Sequence, residues 1–212
     1  MKYATVVFDF DGTIADTQTQ IFEIANLLAD EFGYEKIQPS EISELKRMGA
    51  RELVVERLKI PLWNLVKIYR LEKRGRALLF ERAAHIQVFS GVAECIAALR
   101  LAGMRVGIVT SNAHTVVSAV LTSAKISVDF VHAGSSFFGK DKAIAHALGA
   151  QRLDPQTVVY VGDELRDFEA CKKVGIAMFG VSWGYNDPSA LREVEIGVVE
   201  SAQQLQQKLL EM

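Results

Sequence analysis

The apolar positions of this chain fall into short unbroken runs separated by longer stretches of helical periodicity. Residues 4–8, 105–110, 157–161 and 176–181 are each nearly continuous in apolar and β-branched side chains. Strands buried on both faces read in this way, and such strands belong to parallel sheets covered by helices. Between them, residues 91–102, 113–124, 140–148 and 165–174 have the pattern of crossover helices. Gly103, Gly149 and Gly175 stand where three of these should end, as glycine does at a left-handed C-terminal cap. The alternation predicts an α/β fold with a doubly wound, mostly parallel sheet.

Residues 16–88 break this rhythm, for no convincing strand pattern occurs there. Ile21, Ile24, Ala25, Leu28, Ala29 and Phe32 mark one face of a helix that should end at Gly33. Pro39-Ser40 opens a further short helix, and residues 62–82 suit a long one. The expected organisation is a Rossmann-like core of residues 1–15 and 89–212 with an inserted helical cap of residues 16–88. Residues 201–212 should form a closing helix, and no internal repeat or low-complexity tract is evident.

Composition narrows the function classes. The chain has 212 residues, 50% hydrophobic and 24% charged, with a formal net charge of −2, which suits an ordinary globular protein. Near-neutral charge gives no case for nucleic acid or a membrane surface as partner. The longest apolar runs are far too short to span a bilayer. The expected location is cytoplasmic, since Met1-Lys2-Tyr3-Ala4 leads directly into the first strand with no export signal before it. Cys95 and Cys171 have no metal-ligand spacing and read as reduced core thiols. His85, His114, His132 and His146 likewise lack ligand spacing and read as structural. No heptad seam or long apolar stripe fixes an oligomeric state.

Ligands of open α/β sheets bind beyond the carboxyl ends of the strands, so the residues at those ends carry the chemical information. Asp9-Phe10-Asp11-Gly12-Thr13 follows the first run, and Thr110, Ser111 and Asn112 follow the second. A loop after residues 128–131 leads to Lys140, and the run ending at Val161 continues into Gly162-Asp163-Glu164 and then Asp167. Converging carboxylates repel one another unless a cation sits among them, and magnesium prefers oxygen ligands. Such an ion would also offset the repulsion between an attacking carboxylate and a phosphate. Aspartate is a covalent nucleophile toward phosphoryl groups, while a hydroxyl and an ammonium suit the phosphoryl oxygens. Two unpaired carboxylates after a buried strand are hard to explain as helix caps alone.

The stretch Asp-Phe-Asp-Gly-Thr-Ile-Ala-Asp-Thr, at residues 9–17, resembles the first motif of the haloacid dehalogenase superfamily, nearest its phosphoglycolate-phosphatase-like branch. Val-Gly-Ile-Val-Thr-Ser-Asn at 106–112 is similar to the second motif, and Val-Gly-Asp-Glu-Leu-Arg-Asp at 161–167 to the fourth. The resemblance implies a magnesium-dependent phosphatase acting on a small phosphorylated metabolite through an aspartyl-phosphate. It makes Asp9 the nucleophile and Asp11 the general acid/base, with the Asp11 backbone carbonyl also on the metal. It gives Thr110 a hydrogen bond to the phosphoryl group. Asp163 becomes a direct magnesium ligand, and Asp167 one through water or a supporting partner. Gly12, Thr13, Ser111 and Asn112 become the remaining substrate-binding positions.

The third motif departs from the usual lysine followed by Pro-x-Pro, since the run here is Phe138-Gly139-Lys140-Asp141-Lys142. Lys140 lies at the better distance before the helix, with Lys142 the alternative. Glu164 replaces the small hydroxyl residue common after the aspartate of the fourth motif, and either joins the metal shell or points at Arg166. Trp183-Gly184-Tyr185 reads as a packed aromatic corner rather than a border of the site. Arg47 and Arg51, around Met48-Gly49-Ala50, are candidates for reading the leaving group, whereas the basic residues of 67–82 read as a solvated face. Asp11 and the helical insertion argue against a receiver-like switch, and the retained aspartates argue against a non-catalytic phosphate-binding module. Asp11 also argues against haloalkanoate dehalogenation. A capped phosphosugar mutase would share every core residue named.

Overall fold

The computed structural model describes residues 2–41, 45, 53–134, 139–185, 188–194 and 196–211. Its strands are β1 (Thr5–Phe8), β2 (Ala15–Asp16), β3 (Gln87–Val88), β4 (Arg105–Val109), β5 (Phe130–His132), β6 (Val158–Gly162), β7 (Ala177–Val181) and β8 (Gly197–Val199). The α-helices are α1 (Gln18–Phe32), α2 (Leu65–Glu81), α3 (Val92–Leu101), α4 (His114–Ser123), α5 (Lys140–Gln151), α6 (Leu165–Val174), α7 (Pro188–Glu193) and α8 (Ala202–Glu211). Six strands form one sheet in the order β5-β4-β1-β6-β7-β8, and every pairing in it is parallel. This is the doubly wound α/β architecture that the apolar runs predict.

The two-residue period of each strand sends alternate side chains to opposite helical layers. Val6 and Phe8 of β1, Val106 and Ile108 of β4, and Val159 and Val161 of β6 enter a cluster with α3, α4 and α8. Val7, Val109, Val158 and Tyr160 face the other way, against α5, α6 and Leu191 of α7. Both sides of the sheet are therefore buried, which is why its strands read as unbroken apolar runs. Parallel pairing also brings all carboxyl ends to one edge, with β1 central between β4 and β6.

Several details differ from the sequence reading. The strand β8 is a sixth member of the sheet that its three residues do not announce. The stretch 16–88 is not free of strand, because β2 and β3 pair antiparallel at its two ends, Ala15 opposite Val88 and Asp16 opposite Gln87. Gly103 and Gly175 do adopt left-handed backbone after their helices, but Gly149 lies within α5, whose left-handed cap is Arg152. On α1, Phe22 rather than Ile21 turns inward, and Ile21 is exposed. Gly33 ends that helix in left-handed backbone as expected.

Between β2 and β3 the chain builds its own apolar packing. Phe22, Ile37, Leu45, Leu58 and Ile60 form one cluster, and Ile24, Leu28 and Phe32 a second that reaches α2 through Leu71, Leu78 and Leu79. Asn64 caps α2 by accepting from the Lys67 N–H, just after Pro61. Arg47 and Arg51 lie outside the described residues. No helix among the described residues is long and apolar enough to cross a membrane. Cys95 and Cys171 are buried free thiols.

Candidate active site

The carboxyl edge of the sheet gathers the charged groups that the sequence places there. Asp9 follows β1 directly, and its N–H extends the ladder to the Val161 carbonyl. Asp163 follows β6, and Asp167 faces the same point from the first turn of α6. One carboxylate oxygen from each of these three buried residues lies within 4.8 Å of the others. Lys140, at the start of α5, inserts its ammonium between two of them, 2.7 Å from Asp9 Oδ1 and 3.0 Å from Asp167 Oδ1. The Tyr160 ring supports that lysine from below, its centroid 5.4 Å from Nζ. Lys142 is exposed on the same helix, and of the two lysines Lys140 is the one that reaches the carboxylates.

Burial sets the electrostatics. Loss of solvent, then the charges of Glu164, Asp167 and Asp9, push the Asp163 carboxyl well above the usual carboxylate range. Burial likewise raises Asp167, against the pull of Lys140. Burial disfavours the Lys140 charge, but Asp167 and Asp9 outweigh it and hold the ammonium protonated. Lys140 and the nearby Arg166 face four carboxylates, those of Asp9, Asp163, Glu164 and Asp167, and the donors that converge are all hard oxygens.

Asp11 turns its side chain to a separate set of partners. Its Oδ1 accepts from the Thr17 hydroxyl at 2.7 Å and from Asn112 Nδ2 at 2.9 Å, and its Oδ2 accepts from the Thr110 hydroxyl at 3.3 Å. Burial first, and then Asp9, raise its pKa, so this carboxyl holds a proton longer than a solvated one. Two aspartates two residues apart thus occupy different environments, one against an ammonium and one among hydroxyl and amide donors. The turn that follows Asp11 depends on Gly12, whose φ is +78° and whose Cβ would stand 2.4 Å from Asp163 Oδ2.

A haloacid dehalogenase-like hydrolase family model matches residues 6–181, spanning β1 to the end of β7. The chain belongs to that family. Within the haloacid dehalogenase-like hydrolases its likeness is to the phosphoglycolate-phosphatase branch. It is 34% identical over 188 residues to a phosphoglycolate phosphatase of Synechococcus elongatus, covering 88% of this chain and 87% of the relative. It is 28% identical over 197 residues to an N-acetylmuramic acid 6-phosphate phosphatase of Pseudomonas putida, covering 89% and 86%. The fold matches a haloacid dehalogenase-like hydrolase of Streptococcus pneumoniae with a TM-score of 0.84 at 16% identity, over 98% and 99% of the two chains.

Against the motifs of the haloacid dehalogenase-like hydrolases, the structure brings Asp9, Asp11, Thr110, Asn112, Lys140, Asp163 and Asp167 to one edge of the sheet. Ser111 lies half-buried on the same turn as Thr110. Thr13 is buried and donates its hydroxyl to Asp163 Oδ1 at 3.2 Å, which makes it a support for that carboxylate. Glu164 points at Arg166, whose guanidinium lies 2.6 Å from Oε1. The surprise is the loop after β7. Trp183 Nε1 donates to the Thr13 carbonyl at 3.1 Å, the Tyr185 N–H donates to Asp163 Oδ2 at 2.8 Å, and a Cβ on Gly184 would stand 2.2 Å from that of Asp163. The aromatic corner therefore adjoins the site, and a fifth strand end contributes to it. Only the rule that strand ends matter pointed there, since the loop brings no charged side chain.

Proposed function

We propose that this hydrolase is a magnesium-dependent phosphatase of the phosphoglycolate-phosphatase-like branch, cleaving a small phosphate monoester through phosphorylated Asp9. One observation carries the reading: the buried Lys140 ammonium is lodged against Asp9 and Asp167 where Asp163 also converges, while Asp11 stands apart on neutral donors. That separation supplies a nucleophile and an acid from one short loop.

The donor set fits magnesium, being hard carboxylate oxygens close together, with Asp9, Asp163, Glu164 and Asp167 outnumbering the nearby cations Lys140 and Arg166. Asp9, Asp163 and Asp167 would hold the ion, with the Asp11 backbone carbonyl beside them. When bound, it supplies positive charge that offsets the repulsion between the Asp9 carboxylate and the incoming phosphate. Asp9 attacks phosphorus, and Lys140 and Thr110 bind the phosphoryl oxygens as charge builds on them. Asp11 gives its proton to the departing alkoxide, then takes one from the water that hydrolyses the aspartyl-phosphate.

Residues 16–88 form a cap in this reading, hinged at the β2–β3 ribbon that joins them to the core. The cap and its cleft set the leaving group that is accepted. A short acidic ester such as phosphoglycolate is the substrate class that the Synechococcus relative supports. Phosphate release from a panel of phosphorylated metabolites, with magnesium and with chelator, tests the whole reading. Release should require magnesium and vanish in Asp9→Asn. Appreciable turnover by a folded Asp9→Asn protein would refute the nucleophile assignment.

A further inference from the structure

We infer that Tyr185 is a positioning residue for the general acid, acting through Thr17 to fix which oxygen of Asp11 faces the leaving group. The inference rests on the phosphatase reading above. The Tyr185 hydroxyl lies 2.6 Å from Thr17 Oγ1 and 3.2 Å from the Ala15 carbonyl, and Thr17 Oγ1 lies 2.7 Å from Asp11 Oδ1. Three side chains, two from residues 9–17 and one from the loop after β7, thus form a continuous file ending on the proposed acid.

In the proposed file Tyr185 donates to Thr17 and Thr17 donates to Asp11. Asn112 Nδ2 has only protons to offer Asp11 Oδ1. The Thr17 hydroxyl has one proton, and donating it to Oδ1 leaves Thr17 an acceptor for the Tyr185 O–H. Oδ1 then receives two donors and has no room for a proton of its own. With the file donating in that direction, the proton that Asp11 transfers sits on Oδ2, the oxygen beside Thr110.

A second feature shows that Thr17 is committed to this task. It occupies the N-cap of α1, where a threonine hydroxyl ordinarily accepts from a free N–H of the first turn. Here its side chain makes no capping bond, so the helix forgoes that stabilisation. Thr17 is fully buried and directly follows β2. Tyr185 is tied to both sides of the site, since its backbone N–H donates to Asp163 while its hydroxyl, 3.2 Å from the Ala15 carbonyl, donates its one proton to Thr17 in this file. Phenylalanine at this position keeps the backbone bond to Asp163 and loses the file to Asp11 together with the hydroxyl's approach to the Ala15 carbonyl.

Leaving-group chemistry separates this role from a structural one. An alkoxide needs the proton from Asp11, whereas 4-nitrophenolate departs with little help. With phosphoglycolate, kcat of Tyr185→Phe should fall roughly tenfold at unchanged KM, the scale of one hydrogen bond. The loss should be several-fold smaller with 4-nitrophenyl phosphate, and the magnesium dependence should not move. Thr17→Val should reproduce the pattern and Thr17→Ser should largely restore activity. Added to Asp11→Asn, Tyr185→Phe should cost nothing further. Equal losses on the two esters, a shifted magnesium requirement, or an additive loss in the double variant would overturn the inference. If Asp11→Asn itself failed to discriminate between the esters, the acid assignment would fall and the inference with it. If Asp11→Asn discriminated and Tyr185→Phe did not, the inference alone would fall.

Discussion

Lys140 places Nζ 2.7 Å from Oδ1 of Asp9, and both side chains are nearly closed to solvent. An ion pair so deeply buried is costly to half-remove, because the surviving charge has no water to turn to. Lys140→Met should therefore destabilise the protein by about 3–5 kcal/mol, the usual cost of breaking such a pair. It should also lower kcat by about 10²–10³, as loss of a preorganised charge at the phosphoryl oxygens does. Thermal melts and steady-state kinetics at saturating magnesium check the two effects separately. Near-normal turnover would remove Lys140 from the chemistry.

Asp163 is held as much by shape as by charge. A Cβ on Gly184 would lie 2.2 Å from Asp163 Cβ, and one on Gly12 would lie 2.4 Å from Asp163 Oδ2. Gly184→Ala should therefore displace that carboxylate, raise the magnesium concentration needed for half-maximal activity, and cost about 1–3 kcal/mol through overpacking. Gly75 gives the contrast, for it lies inside α2, and a Cβ there would meet nothing within 4 Å. Gly75→Ala should instead stabilise by about 0.5–1 kcal/mol, the helix penalty of glycine. Magnesium titrations and melts of the two variants give the comparison, and an unmoved magnesium requirement in Gly184→Ala would count against the packing argument.

The central strands and the charged strand ends were legible because burial on both faces writes an unbroken apolar run, and because Asp9, Asp11, Asp163 and Lys140 are costly anywhere but at a site. The missing elements have no comparable signature. Strands β2 and β3 hold two residues each and β8 three, too few for any period to show. Ile21 and Phe22 are adjacent apolar residues, so the helical pattern alone did not decide which one faces inward. Thr17 reads as an ordinary N-cap, and only the fold shows that its hydroxyl serves Asp11 instead. Tyr185 adjoins the site through its backbone N–H and a hydroxyl contact to Thr17, neither of which a sequence pattern displays.

Ile60 is fully buried in the cluster of Phe22, Ile37, Leu45 and Leu58, which is distinct from the clusters against the main sheet. If residues 16–88 are a cap with its own packing, a cavity there should loosen the cap before the core. Ile60→Ala should cost about 2–5 kcal/mol locally. Hydrogen exchange should quicken in α1 and α2 while β1, β4 and β6 stay protected. Uniform loss of protection would mean that cap and core unfold as one unit.

The acidic cluster makes stability depend on pH and metal together. Burial, followed by the neighbouring carboxylates, lifts Asp163 well above its ordinary 3.8, and burial pushes Glu164 up to about 7. In the unfolded chain these groups lose their protons near their ordinary values. From about pH 4 upward the folded state therefore binds more protons than the unfolded one, so stability must fall as pH rises toward the raised values. The Lys140 shift contributes nothing to this slope, since the ammonium stays protonated in both states until far higher pH. The divalent cation proposed above would replace those protons as the neutralising charge and, by binding only the folded cluster, would add stability by mass action. In chelator, the melting temperature should drop steadily between about pH 5 and pH 8. In excess magnesium it should be higher and much flatter across the same range, and Asp163→Asn should remove much of the chelator slope. Parallel slopes with and without magnesium would mean that the ion does not sit among these carboxylates, whatever its effect on turnover.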